Sequence, residues 1–188
     1  MWALVKADQV IRIINGPKAV TIEDVNHPAT IFRSWTAEEL KAIGIYPYSE
    51  QSTDTAFYKY SNSSYEIGAD AVKQVWGNET AKDMDDVTID DVTTLGLKSI
   101  WVNSTKSSSH SRLSSTDWYV TRLSEETTAV PSDVSTYRDA VRAACNTIET
   151  AINACADVDA LKAMFVTPVD GDGKATGNAP MYDWPDEL

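Results

Sequence analysis

Residues 131–155, PSDVSTYRDAVRAACNTIETAINAC, decide how this chain folds. Pro131 followed by Ser132 or Asp133 is a helix start, and neither Pro nor Gly occurs again through Cys155. Val134, Val141, Ile148 and Cys155 recur every seven residues, and Tyr137, Ala144 and Ala151 make a second row beside them. That is the apolar a/d seam of a helix packed along its length on a partner helix, with small residues in the second row permitting close approach. The spacing predicts a helix from Ser132 to about Ala154. It leaves open whether the seam closes within one chain or joins several, so Val134, Tyr137, Val141 and Ile148 are candidate interface residues.

Working outward toward the C-terminus, Asp157-Val158-Asp159-Ala160 opens a short helix through Phe165, with carboxylates at its positive end. Pro168, Gly171, Gly173, Gly177, Pro180 and Pro185 forbid a long helix beyond it, and residues 167–188 read as an extended arm. Met181, Tyr182 and Trp184 give that arm anchors for a groove on a partner. Deleting residues 179–188 is expected to weaken assembly without unfolding the chain.

Toward the N-terminus, Thr116 to Glu126 reads as a helix with Thr116 or Asp117 as cap and Trp118, Tyr119 and Leu123 as buried candidates. Val92, Leu95, Ile100 and Trp101 suggest another, whose continuation Ser104–Ser111 has poor helix propensity and reads as a solvated polar face. Before about residue 90 the pattern has period two. Trp2 to Ile14 reads as a hairpin around Ala7-Asp8-Gln9, Ala19–Ile22 as a third strand, and Asp24-Val25-Asn26-His27-Pro28 as a turn. Thr36 and Glu39 form a capping-box pattern for a short helix that Gly44 ends. Residues 45–55 read as a connection, Phe57–Tyr60 as a strand, and Tyr65–Ile67 with Ala71–Trp76 as a second hairpin about Gly68-Ala69-Asp70. No internal repeat is read. The fold class is α+β: a β-rich N-terminal part with hairpins (1–88), a helical C-terminal hairpin (89–166) and the extended arm (167–188).

The 188 residues carry 28 acidic against 16 basic side chains, a formal charge of −12 that repels phosphate backbones and anionic lipid headgroups. Neither nucleic acid nor a membrane is an expected partner, and no apolar run approaches the ~20 residues of a membrane span. The opening Met1–Lys6 has no signal-peptide pattern, so the protein is expected to stay where it is made. Cys145 and Cys155 lie about 15 Å apart along one helix, beyond disulfide reach, and read as small core residues. Asp170-Gly171-Asp172-Gly173 lacks the sixth-position glycine and twelfth-position glutamate of a calcium loop and reads as a tight turn. Asp83, Asp85, Asp86, Asp90 and Asp91 fill turns and a helix start. His27 is a turn residue, and Ser107–Ser109 beside His110 lack a nucleophile elbow. No catalytic, cofactor or metal constellation is found, and an enzyme is not expected.

Ser115-Thr116-Asp117-Trp118-Tyr119-Val120-Thr121-Arg122, then Pro131, then Thr136-Tyr137-Arg138-Asp139-Ala140-Val141-Arg142 resembles a C-terminal module of bacteriophage tail and tail-fibre-associated proteins. The opening through Ala42-Ile43-Gly44-Ile45-Tyr46-Pro47 is similar to the N-terminal portion of such proteins from marine phages. The module usually has Trp where Val134 stands and an acidic, glycine-bearing stretch where this chain has Glu125-Glu126-Thr127-Thr128. The resemblance implies a non-enzymatic structural part of a virion, assembled in the host cytoplasm, docking on other virion proteins as a symmetric homo-oligomer. A tail-fibre assembly chaperone, a capsid decoration protein and a carbohydrate-binding adhesion module are the alternatives. Trp118, Arg122, Arg138 and Arg142 would form the joint between two helices, the arginines pairing with Glu125, Glu126 or Asp139 while Trp118 and Tyr137 fill the wedge. On that placement Trp118→Ala costs about 3–5 kcal/mol.

Overall fold

Three hairpins turn on two-residue tips in which both residues take positive φ without a glycine: Ala7-Asp8 (+49°, +55°), Glu23-Asp24 (+49°, +65°) and Asp90-Asp91 (+49°, +63°). Left-handed backbone at both central positions matches the twist of the flanking strands, and Asp tolerates it better than most residues. The computed structural model describes residues 1–188, which divide into two compact units, Met1–Thr80 and Ala81–Leu188. The boundary therefore falls earlier than 88, and the arm belongs to the second unit.

In the first unit, β1 (Trp2–Lys6) and β2 (Gln9–Ile14) form the expected hairpin. The stretch expected to be a turn holds a strand: β3 (Val20–Ile22) pairs with β4 (Val25–His27) about the Glu23-Asp24 tip. Two short helices come next, α1 (Ile31–Ser34) and α2 (Ala37–Ala42). The second has the full capping box: Glu39 N donates to Thr36 Oγ1 at 3.2 Å, and Thr36 N donates to Glu39 Oε2 at 2.7 Å. Gly44, at φ +80°, ends it, and a Cβ there would lie 2.5 Å from the carbonyl oxygen of Val5.

The segment expected to be a connection contains the middle strand of the sheet, β5 (Ile45–Glu50). With the long hairpin β6 (Tyr58–Ile67) and β7 (Val72–Ala81), the sheet order is β2-β1-β5-β7-β6. A proline normally excludes a central strand, because it has no N–H for the ladder. Here Pro47 sits where pairing changes sides: Ile45–Pro47 face β1 antiparallel, and Tyr48–Glu50 face β7 in parallel. Ile14, Val20, Ile31, Phe32, Leu40 and Ile45 form the core, with Trp2 tilted against Phe32 at 4.6 Å.

The second unit opens on β8 (Val87–Ile89) and β9 (Val92–Thr94), where a turn leading into a helix was expected. Helix α3 (Leu97–Ser114) then runs unbroken through the serine-rich stretch. Its first turn is capped from the residues preceding the hairpin. Leu97 N and Lys98 N donate to the carbonyls of Asp83 and Met84, and Gly96 N donates to Asp86 Oδ1 at 2.7 Å. Gly96 admits this approach, since a Cβ would come within 2.4 Å of the Asp85 backbone. Thr105 and Ser109 of α3 are buried, so the row expected to be solvated instead gives the small surface on which the next long helix packs.

Helices α4 (Asp117–Glu126), α5 (Ser132–Ala154) and α6 (Val158–Ala163) complete the unit with a 3-10 turn at Pro180–Tyr182. The buried stripe on α5 is Val134, Arg138, Val141, Cys145, Ile148 and Ile152, continuing to Cys155, with Tyr137 beside it. The heptad row through Val134 is as expected. Its companion row is Arg138-Cys145-Ile152, one residue on from Tyr137-Ala144-Ala151, because an arginine occupies a position that reads as surface. Arg138 is 8% exposed, and its Nη1 donates to Thr116 Oγ1 at 2.6 Å and to Leu113 O at 3.0 Å, 2.9 Å from Asp117 Oδ1.

Trp118, expected in the wedge, is 51% exposed. Arg142 pairs with Asp139 on its own exposed helix surface at 3.1 Å, and Arg122 lies over aromatic rings away from Glu125 and Glu126. Tyr137 does enter the joint, its hydroxyl 3.5 Å from the Arg112 carbonyl. Arg138→Leu is therefore expected to cost about 2–4 kcal/mol, because it removes the charge-assisted donor to Leu113 O and Thr116 Oγ1 and leaves Asp117 without its cation. Trp118→Ala should cost no more than about 1 kcal/mol, typical of a surface substitution; paired urea melts measure both.

Asp86 gives a pH signature. The Gly96 amide, then Ser99, hold its carboxyl below the usual range. A depressed folded-state value means that its contribution is present above the unfolded carboxylate pKa and lost as pH falls through the folded one. Thermal melts of wild type and Asp86→Ala should differ at neutral pH and converge as pH drops below roughly 4.

Candidate functional site: an exposed aromatic helix

The residues expected to face a partner are mostly internal. Val134, Tyr137, Val141 and Ile148 are buried under α3, so the heptad seam closes within the chain. Of the arm, Met181 is buried and its N–H donates to the Met164 carbonyl at 3.0 Å, just past α6. Tyr182 stays 61% exposed while meeting Phe165 edge-on at 6.0 Å, and Trp184 lies under the Arg112 guanidinium at 5.3 Å. The groove this arm fills is on its own unit.

What remains open is α4. Arg138 and Thr116 hold its first turn, and no residue along its ten is buried. Thr127, in the left-handed region at φ +58°, ends it and donates its N–H to the Leu123 carbonyl at 3.1 Å. Trp118 stacks on Tyr119 with ring centroids 3.8 Å apart and planes 30° from parallel. The Arg122 guanidinium covers both rings, 4.8 Å from one centroid and 5.2 Å from the other. Its Nε has no hydrogen-bond partner. Val120 and Leu123 are also exposed. Trp, Tyr and Arg are the residues that most often dominate protein interfaces, and stacking fixes these three before any partner arrives. The Trp-Tyr pair was visible in the sequence, but the burial expected for it concealed the platform.

The remaining polar candidates are structural. Asp170 turns its carboxylate inward to accept from Asp172 N and Lys174 N at 3.0 and 2.9 Å, closing a tight turn. His27 is a strand residue set edge-on against Trp35 at 5.7 Å. Cys145 and Cys155 are free buried thiols, both pushed up in pKa chiefly by burial. Cys145 donates to Glu149, which in turn faces Lys106 at 3.4 Å. No group of three His, Cys, Asp or Glu side chains is placed to hold a metal ion, and no helix is long and apolar enough to cross a membrane.

Comparison with family models, curated proteins and solved structures finds no match to the chain.

The docked arm reverses the expected effect of truncation. Removing residues 179–188 takes away the buried Ala179 and Met181. The loss should be about 2–5 kcal/mol, the range for emptying a buried apolar site. Differential scanning calorimetry of the truncated chain measures it as a lowered melting temperature.

Proposed function

We propose that the protein is a non-enzymatic structural component of a bacteriophage virion, tail or tail-fibre-associated, which docks on neighbouring virion proteins. The observation that carries this reading is α4: an exposed, pre-stacked Trp118-Tyr119-Arg122 platform on a helix whose own chain buries none of its residues. An apolar and aromatic surface left open in this way fits a protein contact. It coincides with the segment Ser115–Arg122 whose sequence resembles the phage tail module, and the tertiary anchor of that segment, Arg138, belongs to the same pattern.

The partners of this reading are other virion proteins and further copies of the chain, and its location is the assembled particle. A second reading has one observation in its favour. Trp118 and Tyr119 present stacked, half-open rings, the chemistry with which aromatic side chains also bind sugar faces, so an adhesion module for surface glycans is the alternative.

Quantitative mass spectrometry of purified mature particles, referenced to the major capsid protein, tests the proposal. Virion protein at a fixed stoichiometry is expected. Abundance in lysate with absence from particles would identify an assembly chaperone instead. A copy number matching the capsid lattice would move the protein from tail to shell. Trp118→Ala should reduce incorporation while leaving the melting curve near wild type. Glycan binding abolished by the same variant would favour adhesion.

A further inference from the structure

The face of the first-unit sheet opposite its core is lined with aromatic rings. Side chains alternate along a strand, so the register Tyr48↔Val72 and Glu50↔Gln74 puts these four residues, with Trp76, on one face, while Ile45 of the same strand β5 belongs to the core. Val72 and Gln74 are buried on that face. Ring contacts bring two residues of β6 to it: Tyr65 meets Tyr48 edge-on with centroids 6.3 Å apart, and Tyr60 is tilted against Trp76 at 6.0 Å. Tyr65 is 46% exposed and the other three are half-buried, so each pair keeps ring surface open to solvent.

Each pair also has a carboxylate. Glu50 Oε1 lies 3.4 Å from the Tyr48 hydroxyl, and Glu79 accepts from the Tyr60 hydroxyl, whose oxygen accepts from Asp54 N at 2.9 Å. Both phenols are raised in pKa by burial first, with Glu50 and Glu79 adding to it, at Tyr60 against the opposing Asp54 amide. A phenol held by a carboxylate stays protonated and pushes electron density into its ring, which strengthens the attraction of the ring face for a cation.

The strands bring no cation of their own to this face. The basic residues of β5, β6 and β7 are Lys59 and Lys73. Lys59 alternates with Tyr58 and Tyr60, and Lys73 pairs with Ser49, so both stand on the opposite side of the sheet. Glu50 and Glu79 are exposed and make no ion pair. The surface is therefore complementary to positive charge, as is the chain as a whole at −12.

Spacing selects the form of the partner. Tyr48 stands opposite Val72, and Trp76 is four residues farther along β7, so the two stations are about 13 Å apart along the strands. Residues four apart in an extended peptide have the same separation and face the same way. A guanidinium suits both parts of a station, because its plane stacks on a ring while its edge donates to the carboxylate; an ammonium offers only a point charge.

We propose that this face binds an extended, arginine-bearing segment of a partner protein, with one guanidinium at Tyr48-Tyr65-Glu50 and a second, four residues along, at Tyr60-Trp76-Glu79. The contact is separate from the α4 platform and is a property of the purified protein, so it stands whether or not the chain enters a particle.

Isothermal titration calorimetry of the full-length chain tests it, with a serine-threonine peptide carrying two arginines four residues apart. Binding with a Kd below about 100 µM is expected at low salt, weakening as salt rises. The same peptide with its arginines adjacent, or with lysines in their place, should bind at least about fivefold more weakly, the equivalent of one lost cation–π contact. Glu50→Gln/Glu79→Gln and Tyr65→Ala should each weaken binding by about fivefold or more, and Tyr65→Phe, which keeps the ring, should bind as wild type. All three positions are exposed, and circular dichroism melts verify the fold. Glu38→Gln/Glu125→Gln removes the same charge from exposed positions elsewhere and should leave binding unchanged.

An equal loss in that control pair would show attraction to net charge alone and overturn the proposal. So would the absence of saturable binding up to about 1 mM peptide, or equal affinity for either comparison peptide. Binding of an uncharged glycan that Tyr65→Ala abolishes, with none of the peptide, would assign the face to sugars instead.

Discussion

The second unit depends on one buried guanidinium. Arg138 stands in the heptad stripe of α5 among Val134, Val141 and Cys145, and reaches the place where α3 stops and α4 starts. A helix ends with unsatisfied carbonyls, and burying one without a donor is costly. Arg138 and Thr116 both donate to the Leu113 carbonyl, and the nearby Asp117 carboxylate balances the charge. The charge-assisted bonds fix the direction in which the chain leaves α3, and so set where α4 projects. Burial of an arginine is tolerated here because one face of its partner set, Asp117, is half open to water, which lowers the desolvation cost.

Backbone approach imposes the complementary constraint at the hairpins. Gly44 lets Val5 N donate to its carbonyl at 2.8 Å, tying the end of α2 to β1. Gly96 lets the 83–86 segment lie over the start of α3 and cap it with main-chain carbonyls and the Asp86 carboxylate. At Gly96 the start of α3 is satisfied by another segment, and at Gly44 the chain leaving α2 is tied to β1, so hairpin and helix become one object. The aspartates that give the chain its charge thus have structural work at turn tips and helix ends as well.

Much of this is legible in the residues themselves. The α+β division, the capping box at Thr36 and Glu39, the stop at Gly44 and the row Val134-Val141-Ile148-Cys155 come from local periodicity and capping chemistry. The failures have a shared cause: a residue whose local preference was overruled by a tertiary partner. Pro47 argued against a strand, yet it occupies the one position where β5 changes partners. Ser104–Ser111 argued against a core helix face, yet small Ser109 and Thr105 are what permit close packing under α5. Arg138 argued for surface and displaced the second heptad row by one residue. Trp118 argued for burial through its size alone, while its neighbours Tyr119 and Arg122 supply the contacts it makes. The turn pairs Glu23-Asp24 and Asp90-Asp91 lack the glycine that marks such hairpins, which hid β4, β8 and β9.

The distribution of covered and uncovered surface has a physical logic. The helical seam and the arm satisfy each other within the chain, so the elements that first read as docking surfaces are spent on stability. Two of the apolar surfaces left over, α4 and the β8–β9 hairpin, sit in the half of the chain with twice as many acids as bases. Like-charge repulsion keeps such surfaces apart in dilute solution, and it weakens as ionic strength rises. A chain built this way is held from indiscriminate association by its charge, and associates where a partner offers both an apolar seat and compensating cations. That pairing of exposed anchor with acidic surround makes recognition selective without a pocket, because apolar contact alone does not overcome the repulsion and attraction alone leaves the anchors unfilled.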